Sequence, residues 1–279
     1  KLAPLKQQSS WDKNSVAPLG IDRMVVESMH RTTMGVDHDY KNLLKQAYRT
    51  ALADGWGGSR IAMITSDILF GSPTPVLSSA NLGILGEKTV NILVHGHEPE
   101  LSEMLAVAVQ DPQVVQYAKT AGADGVTLAG ICCTANEILM RHGIPIAGNF
   151  LQQELALITG AVETMIIDVQ CCMPSLPDVV SAYHTEIVST TDIAMTAGAT
   201  HLPFDSGDAL NSAKSLIMRA IDNYKNRDPE KVMIPDAKKQ LIGGFSVNAI
   251  KYMLGGTFRG SFRPLNDAII SGRIKGVVG

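Results

Sequence analysis

Between residues 89 and 191 the chain repeats one pattern, a short apolar run followed by a polar turn and then by an amphipathic stretch at helical spacing. The runs are "TVNILV" (89–94), "GVTLAG" (125–130), "IPIAG" (144–148), "TMIIDV" (164–169) and "TEIVSTT" (185–191). Short apolar strands alternating with amphipathic helices predict an α/β fold, with a Rossmann-like parallel sheet carrying helices on both faces. Start and stop signals frame the helices between the runs. Pro99 occupies a favoured first helical position. Thr134 and Glu137 have the T-x-x-E spacing of a capping box, and Gly143 is placed to close that helix. "FLQQELALITG" (150–160) reads as a helix, Ser175 and Asp178 could cap another, and "DALNSAKSLIMRAIDNY" (208–224) is a longer one.

Upstream, residues 1–85 read as a mostly helical layer. The clearest segment is "DHDYKNLLKQAYRTALADG" (37–55), where Leu43, Leu44, Ala47, Tyr48 and Leu52 recur at helical spacing and Gly55 ends the run. "GWGGS" reads as a turn. Residues 86–279 form the Rossmann-like region, ending in "IKGVVG", which resembles one more buried strand. A missing initiator methionine and a βα unit cut at that strand suggest a piece of a larger protein.

Bulk properties exclude several function classes. With 45% hydrophobic and 18% charged residues over 279 positions, the chain has the material for a substantial core. The net charge of −3, without any lysine and arginine block, lacks the footprint of a nucleic-acid binder. Apolar runs fall far short of the roughly 20 residues that a membrane span needs. The first residues lack the basic start and apolar core of a signal peptide, so a cytoplasmic protein is expected.

The four cysteines come as two adjacent pairs, Cys132–Cys133 and Cys171–Cys172. Disulfides between neighbouring residues are strained, which disfavours a secreted disulfide framework. Reduced thiols or metal ligands fit better. Both pairs directly follow predicted strands, as does "HGH" (95–97). Ligands of open parallel sheets bind at the carboxyl ends of the strands. Three crossovers therefore aim imidazole and thiol groups at one sheet edge, and the helix N-termini behind Cys133 and Cys171 are expected to favour thiolate. Any one of these residues alone is adequately explained by packing. Core packing gives no reason for all of them to coincide with three strand ends. The residue types leave a zinc site, an iron-sulfur cluster and a cysteine nucleophile open. Arg259 and Arg263 in "TFRGSFRPLND" could hold an anion, although salt bridges are the more ordinary role.

"VHGHEPELSEM", "GICCTANEILMRHGIPIAGNF", "TGAVETMIIDVQCCMPSLPDV" and "FRPLNDAIISGRIKGVVG" closely resemble the nickel-iron carbon monoxide dehydrogenases. "HRTTMGVDHDYKNLL" and "RTALADGWGGSRIAMITSDILFG" resemble the helical part of the same family, so the likeness runs over essentially the whole chain. The resemblance implies a Ni-4Fe-4S type cluster that oxidises CO with water to CO2. It also implies ligand roles: His97 and Cys133 would share the iron outside the cubane, and Cys171, 38 residues after Cys133, would bind a cubane iron. Cys132 becomes a neighbour or alternative ligand, and Cys172 a packing residue. Further implied features are additional [4Fe-4S] clusters in the parent, a homodimer, a ferredoxin-like electron acceptor and association with an acetyl-CoA synthase subunit. The upstream cysteine motifs for those clusters and the downstream Gly-Cys-Asn-Asn motif are not in this sequence. The isolated chain is accordingly expected to be inactive and to depend on the remainder of the parent chain. A hybrid-cluster hydroxylamine reductase relative and a non-catalytic scaffold are the alternatives.

Overall fold

The computed structural model describes residues 3–33, 35–254 and 262–276. The chain divides into two compact units, residues 1–71 and 72–279.

The first unit is helical: α1 (Leu5–Lys13), α2 (Ile21–Thr32), α3 (Tyr40–Ala53) and α4 (Arg60–Phe70). Asp39 caps α3, its carboxylate accepting from the Lys41 N–H at 2.8 Å. The apolar stripe read on α3 is only partly used: Leu43 and Leu52 are half-buried, while Leu44 and Tyr48 are exposed. Its buried positions are Gln46 and Ala53. The Gln46 amide reaches the Met24 carbonyl of α2 at 3.1 Å, which satisfies a buried polar group. "GWGGS" differs from the expected turn, because Asp54–Ser59 continues α3 as a wide π-helical turn into α4. Trp56 steadies that turn, edge-on to Trp11 at 6.0 Å between ring centroids and with Arg60 over its face at 4.7 Å.

The second unit is built on a single eight-stranded sheet. In chain order its elements are β1 (Val76–Ala80), β2 (Val90–His95), α5 (Pro99–Ala108), α6 (Pro112–Thr120), β3 (Val126–Ile131), α7 (Cys132–His142), β4 (Ile146–Gly148), α8 (Gln153–Leu157) and β5 (Val162–Ile167). There follow α9 (Leu176–Val180), β6 (Glu186–Ser189), β7 (Thr200–His201), α10 (Ala209–Asn223), β8 (Lys239–Gly243), α11 (Val247–Leu254) and α12 (Arg263–Ile270). The strand order is β7-β6-β5-β2-β3-β4-β1-β8, parallel throughout except that β8 runs antiparallel to β1. All five apolar runs from 89 to 191 contain strands. The short strands β1, β7 and β8 escaped the reading because β7 and β8 form the two edges and β1 lies beside β8, all three incompletely buried, so they lack a strong apolar run. At the other end, residues 274–276 of "IKGVVG" adopt no strand, and 277–279 lie outside the described residues.

Helices cover both faces. Alternate β2 residues Val90, Ile92 and Val94 pack with α5, α6 and α10, whereas Leu93, Ile131, Met165 and Ile167 pack with α8 and α9 on the other face. The chain moves outward from β2 through β3 to β4 and then crosses back past β2 to form β5. Strand order therefore reverses between β2 and β5, creating a crevice at their carboxyl ends.

Candidate metal centre

The three motifs meet at that crevice. His95 of β2 is in register with Ile131 of β3 on one side and with Ile167 of β5 on the other. The turn carrying "HGH" therefore stands between the "GICC" and "QCC" turns.

Asp168, the first residue after β5, ties the turns together. It is 3% exposed, and its carboxylate accepts from the His97 N–H at 2.6 Å, from the Glu98 N–H at 3.2 Å and from its neighbour Val169 N–H. Burial pushes its pKa up, and the backbone donors oppose that rise. Gly96 makes the approach possible. Its φ is +145°, and a Cβ there would sit 1.8 Å from Asp168 Oδ1. On the other side, the Thr134 N–H donates to the Gly96 carbonyl at 3.0 Å and so links "HGH" to α7.

The two histidines of "HGH" have different surroundings. His95 is fully buried, with Nδ1 3.4 Å from the Ile131 carbonyl and Nε2 3.2 Å from the Cys171 carbonyl. Burial lowers its pKa, so the neutral ring serves as an internal strut. His97 is half-buried, and its Nδ1 lies 3.1 Å from the Val169 carbonyl. A donor Nδ1–H in that position makes Nε2 the lone-pair nitrogen, which is the arrangement of a metal-ligating imidazole.

All four cysteines are free thiols, and each adjacent pair splits in the same way. Cys133 and Cys171 are exposed; Cys132 and Cys172 are half-buried against the hydrophobic core of the α8–α9 face. The Cys172 thiol also lies 3.8 Å from the His95 carbonyl and 3.4 Å from the Gln170 carbonyl. Beside Cys132 opens a cleft of about 460 Å³, lined also by Asn81, Asn136, Asn149 and Gln152.

Backbone strain concentrates on these motifs. Cys132, Gln170 and Cys171 have φ of +62°, +63° and +59°, a left-handed conformation that non-glycine residues rarely adopt.

Two expectations for α7 and α9 need correction. First, α7 begins at Cys132, two residues before the proposed cap, and has no side-chain cap. The Thr134 hydroxyl is buried without a hydrogen-bond partner among the described residues, and Glu137 pairs with Arg141 instead. In α9, Ser175 makes no cap, because its hydroxyl bonds Glu154 at 2.5 Å. Second, the Cys133 thiol is not shifted toward thiolate. Burial, then the neighbouring Cys171 and Glu137, raises the pKa of Cys133. Burial also pushes Cys132 up to about 11 and Cys172 up to about 12. Desolvation and mutual repulsion outweigh a helix dipole whose first N–H groups are partly engaged. Cys171 is separated from the start of α9 by four residues, too far to lie on its first turn.

Arg263 makes an exposed pair with Asp267 at 3.7 Å, and Arg259 lies outside the described residues. Among the described residues, no three His, Cys, Asp or Glu side chains close around a single point as a one-ion site would require.

Soft thiol donors and an imidazole nitrogen carried on adjoining turns at one sheet edge are compatible with an iron-sulfur cluster. The whole sequence, residues 1–279, matches the Prismane/CO dehydrogenase family. The chain belongs to that family. Among similar members of the Prismane/CO dehydrogenase family is carbon monoxide dehydrogenase 1 of Methanosarcina acetivorans, 50% identical over 99% of this chain and 44% of the relative's length. The nickel-free crystal structure of carbon monoxide dehydrogenase from Thermococcus sp. AM4 is 49% identical, with a TM-score of 0.93 over 99% of this chain and 43% of that one. An acetyl-CoA synthase/carbon monoxide dehydrogenase, described with NiZn[Fe4S4] and NiNi[Fe4S4] clusters in its α subunits, is 42% identical, with a TM-score of 0.89 over 98% of this chain and 41% of that one. The chain thus spans less than half the length of these Prismane/CO dehydrogenase family members.

Asp168 and Gly96 were not singled out from the sequence. A signal was available: an acid directly follows a strand that is wholly apolar over its last three residues and directly precedes "VQCC".

Proposed function

We propose that this chain is the part of a cytoplasmic nickel-iron carbon monoxide dehydrogenase that supplies His97, Cys133 and Cys171 to a Ni-4Fe-4S type cluster. The observation that carries this reading is the meeting of two exposed thiols and one imidazole with a free Nε2 at the switch crevice of a family member. When bound, the cluster supplies the redox chemistry that converts CO and water to CO2, two electrons and two protons.

This chain's residues have separate tasks. Cys133 and Cys171 lose their protons on binding metal, so uptake releases protons. His97 offers Nε2 while Val169 fixes the ring through Nδ1. Asp168 holds the turn bearing His97. Cys132 and Cys172 keep apolar contacts with the core of the α8–α9 face. The remaining ligands come from the rest of the parent chain. We further propose a homodimeric parent that carries additional [4Fe-4S] clusters, passes electrons to a ferredoxin-like acceptor and can associate with an acetyl-CoA synthase subunit.

The test uses the full-length protein purified without oxygen. Nickel, about four irons per catalytic cluster and CO-dependent dye reduction are expected, with iron reduced in Cys133→Ala. Unchanged iron content in that variant would remove Cys133 from the ligand set. A colourless, metal-free or zinc-only protein without CO-dependent dye reduction would refute the enzyme reading.

A further inference from the structure

We infer that Gln153 is a positioning residue for Cys171, fixing its main chain before metal arrives. Gln153 opens α8 and is fully buried. Its Nε2 donates to the Cys171 carbonyl at 2.7 Å and to the Phe150 carbonyl at 3.1 Å, and its Oε1 accepts the Met173 N–H at 3.0 Å. One side-chain amide therefore grips the backbone on both sides of Cys172. His95 Nε2, 3.2 Å from the same Cys171 carbonyl, provides a second anchor.

The gripped segment needs such anchors. Gln170 and Cys171 are consecutive left-handed residues, neither of them glycine. Each is strained relative to ordinary backbone, and such strain persists only where surrounding contacts over-determine it. A buried amide is itself costly unless its donors and acceptor are paired. Here two of the amide's three hydrogen bonds go to the loop that it holds. An apolar residue would meet the demand of this fully buried position without any hydrogen bond, but could not hold Cys171. The amide thus trades simple packing for control of the direction in which the Cys171 thiol leaves the backbone, the usual task of groups behind a metal ligand.

The clamp stands on hydrogen bonds alone; only its purpose rests on Cys171 being a cluster ligand. The experiment separates the two, using the full-length protein. Gln153→Met keeps the side chain's length but removes all three bonds. Gln153→Glu retains an acceptor for the Met173 N–H and loses the donor to Cys171. Leu157→Ala perturbs the same helix but removes none of the three hydrogen bonds. In metal-free protein, Gln153→Met is expected to speed backbone hydrogen exchange over residues 168–174 about tenfold, the scale of a lost buried hydrogen bond, while residues 162–167 stay unchanged. Gln153→Glu should fall between wild type and Gln153→Met, and still reports if the latter fails to fold. Leu157→Ala should lower the melting temperature without preferential exchange at 168–174. In loaded protein, Gln153→Met should also change the paramagnetic spectrum of the reduced cluster. Unaltered exchange at 168–174, or equal acceleration of 162–167, overturns the clamp. Unchanged iron content in Cys171→Ala overturns the ligand role and leaves the clamp intact.

Discussion

The two ends of β5 carry buried carboxylates that serve opposite ends. At its start, Glu163 is fully buried and completely paired: it accepts from Arg227 at 2.7 and 2.6 Å and from the Asn91 N–H at 2.6 Å, and lies 2.9 Å from His184 Nε2. Arg227 extends the network to the carbonyls of Glu87, Thr89 and Ala161. No thiol lies there and the groups satisfy one another. At the other end, Asp168 organises turns around exposed thiols and three left-handed residues. The first end is closed on itself. The second spends its hydrogen bonds on holding side chains that remain available. Stability and chemistry are thus divided along one strand, as expected of a parallel sheet whose ligands sit at the carboxyl edge.

The largest effect expected from breaking this division is that of Glu163→Ala. It leaves Arg227 buried without its carboxylate and should cost about 3–5 kcal/mol in chemical denaturation. Replacing Glu163 and Arg227 together by Met should recover much of that loss. Iron content per folded molecule should be unaffected, so selective loss of iron would show that the two ends are coupled.

Gly96→Ala attacks the other end. The added Cβ meets the Asp168 carboxylate in a backbone conformation unfavourable to alanine, with an expected cost of about 1–3 kcal/mol. Iron content should fall as well, because the His97 turn moves. Stability lost with full retention of iron would argue against Asp168 as an organiser of the site.

The cysteine pairs sharpen the comparison within the carboxyl edge itself. Cys171→Ala should lower iron content while shifting stability by no more than about 0.5 kcal/mol, as for an exposed side chain. Cys172→Ala should do the reverse, costing about 1 kcal/mol through lost packing and leaving iron in place. Equal iron loss in both would erase the distinction between an outward and an inward thiol.

The smallest effect lies away from both ends, where Arg219 binds Glu186 of β6 through two hydrogen bonds of 2.7 Å. Arg219 holds the Glu186 carboxyl below its ordinary pKa. Its contribution is therefore present above the unfolded carboxylate value and fades as pH falls through the lowered folded value. Arg219→Met should cost about 0.2–1 kcal/mol near neutrality, for a partly exposed pair. Denaturation below the carboxylate range should show the difference vanish; a constant penalty at all pH values would assign it to packing.

Much of this molecule is legible without coordinates. Runs of apolar residues mark β2 to β6, because strands covered on both faces must be apolar along their length. Gly143 ends α7 as read, its N–H bonding the Leu139 carbonyl at 2.9 Å. The placement of "HGH", "GICC" and "QCC" after three strands needs nothing beyond sequence order. Less legible are the edge strands β7 and β8 and their neighbour β1, whose incomplete burial relaxes the demand for apolar residues. The start of α7 was also misread, since Cys132 enters through a left-handed residue that local spacing does not reveal.

What the sequence by itself determined is the fold class, the main strands and the family motifs, because local periodicity directly reports which faces must leave water. Tertiary structure alone decided that β2 lies between β3 and β5, that both ring nitrogens of His95 face carbonyls while His97 sets Nδ1 against the Val169 carbonyl, and that the pKa of the unloaded Cys133 thiol is raised rather than lowered. The reason is common to all three. Strand order, hydrogen-bond partners and desolvation arise from groups brought together from distant parts of the chain, and no local pattern encodes which of them will meet.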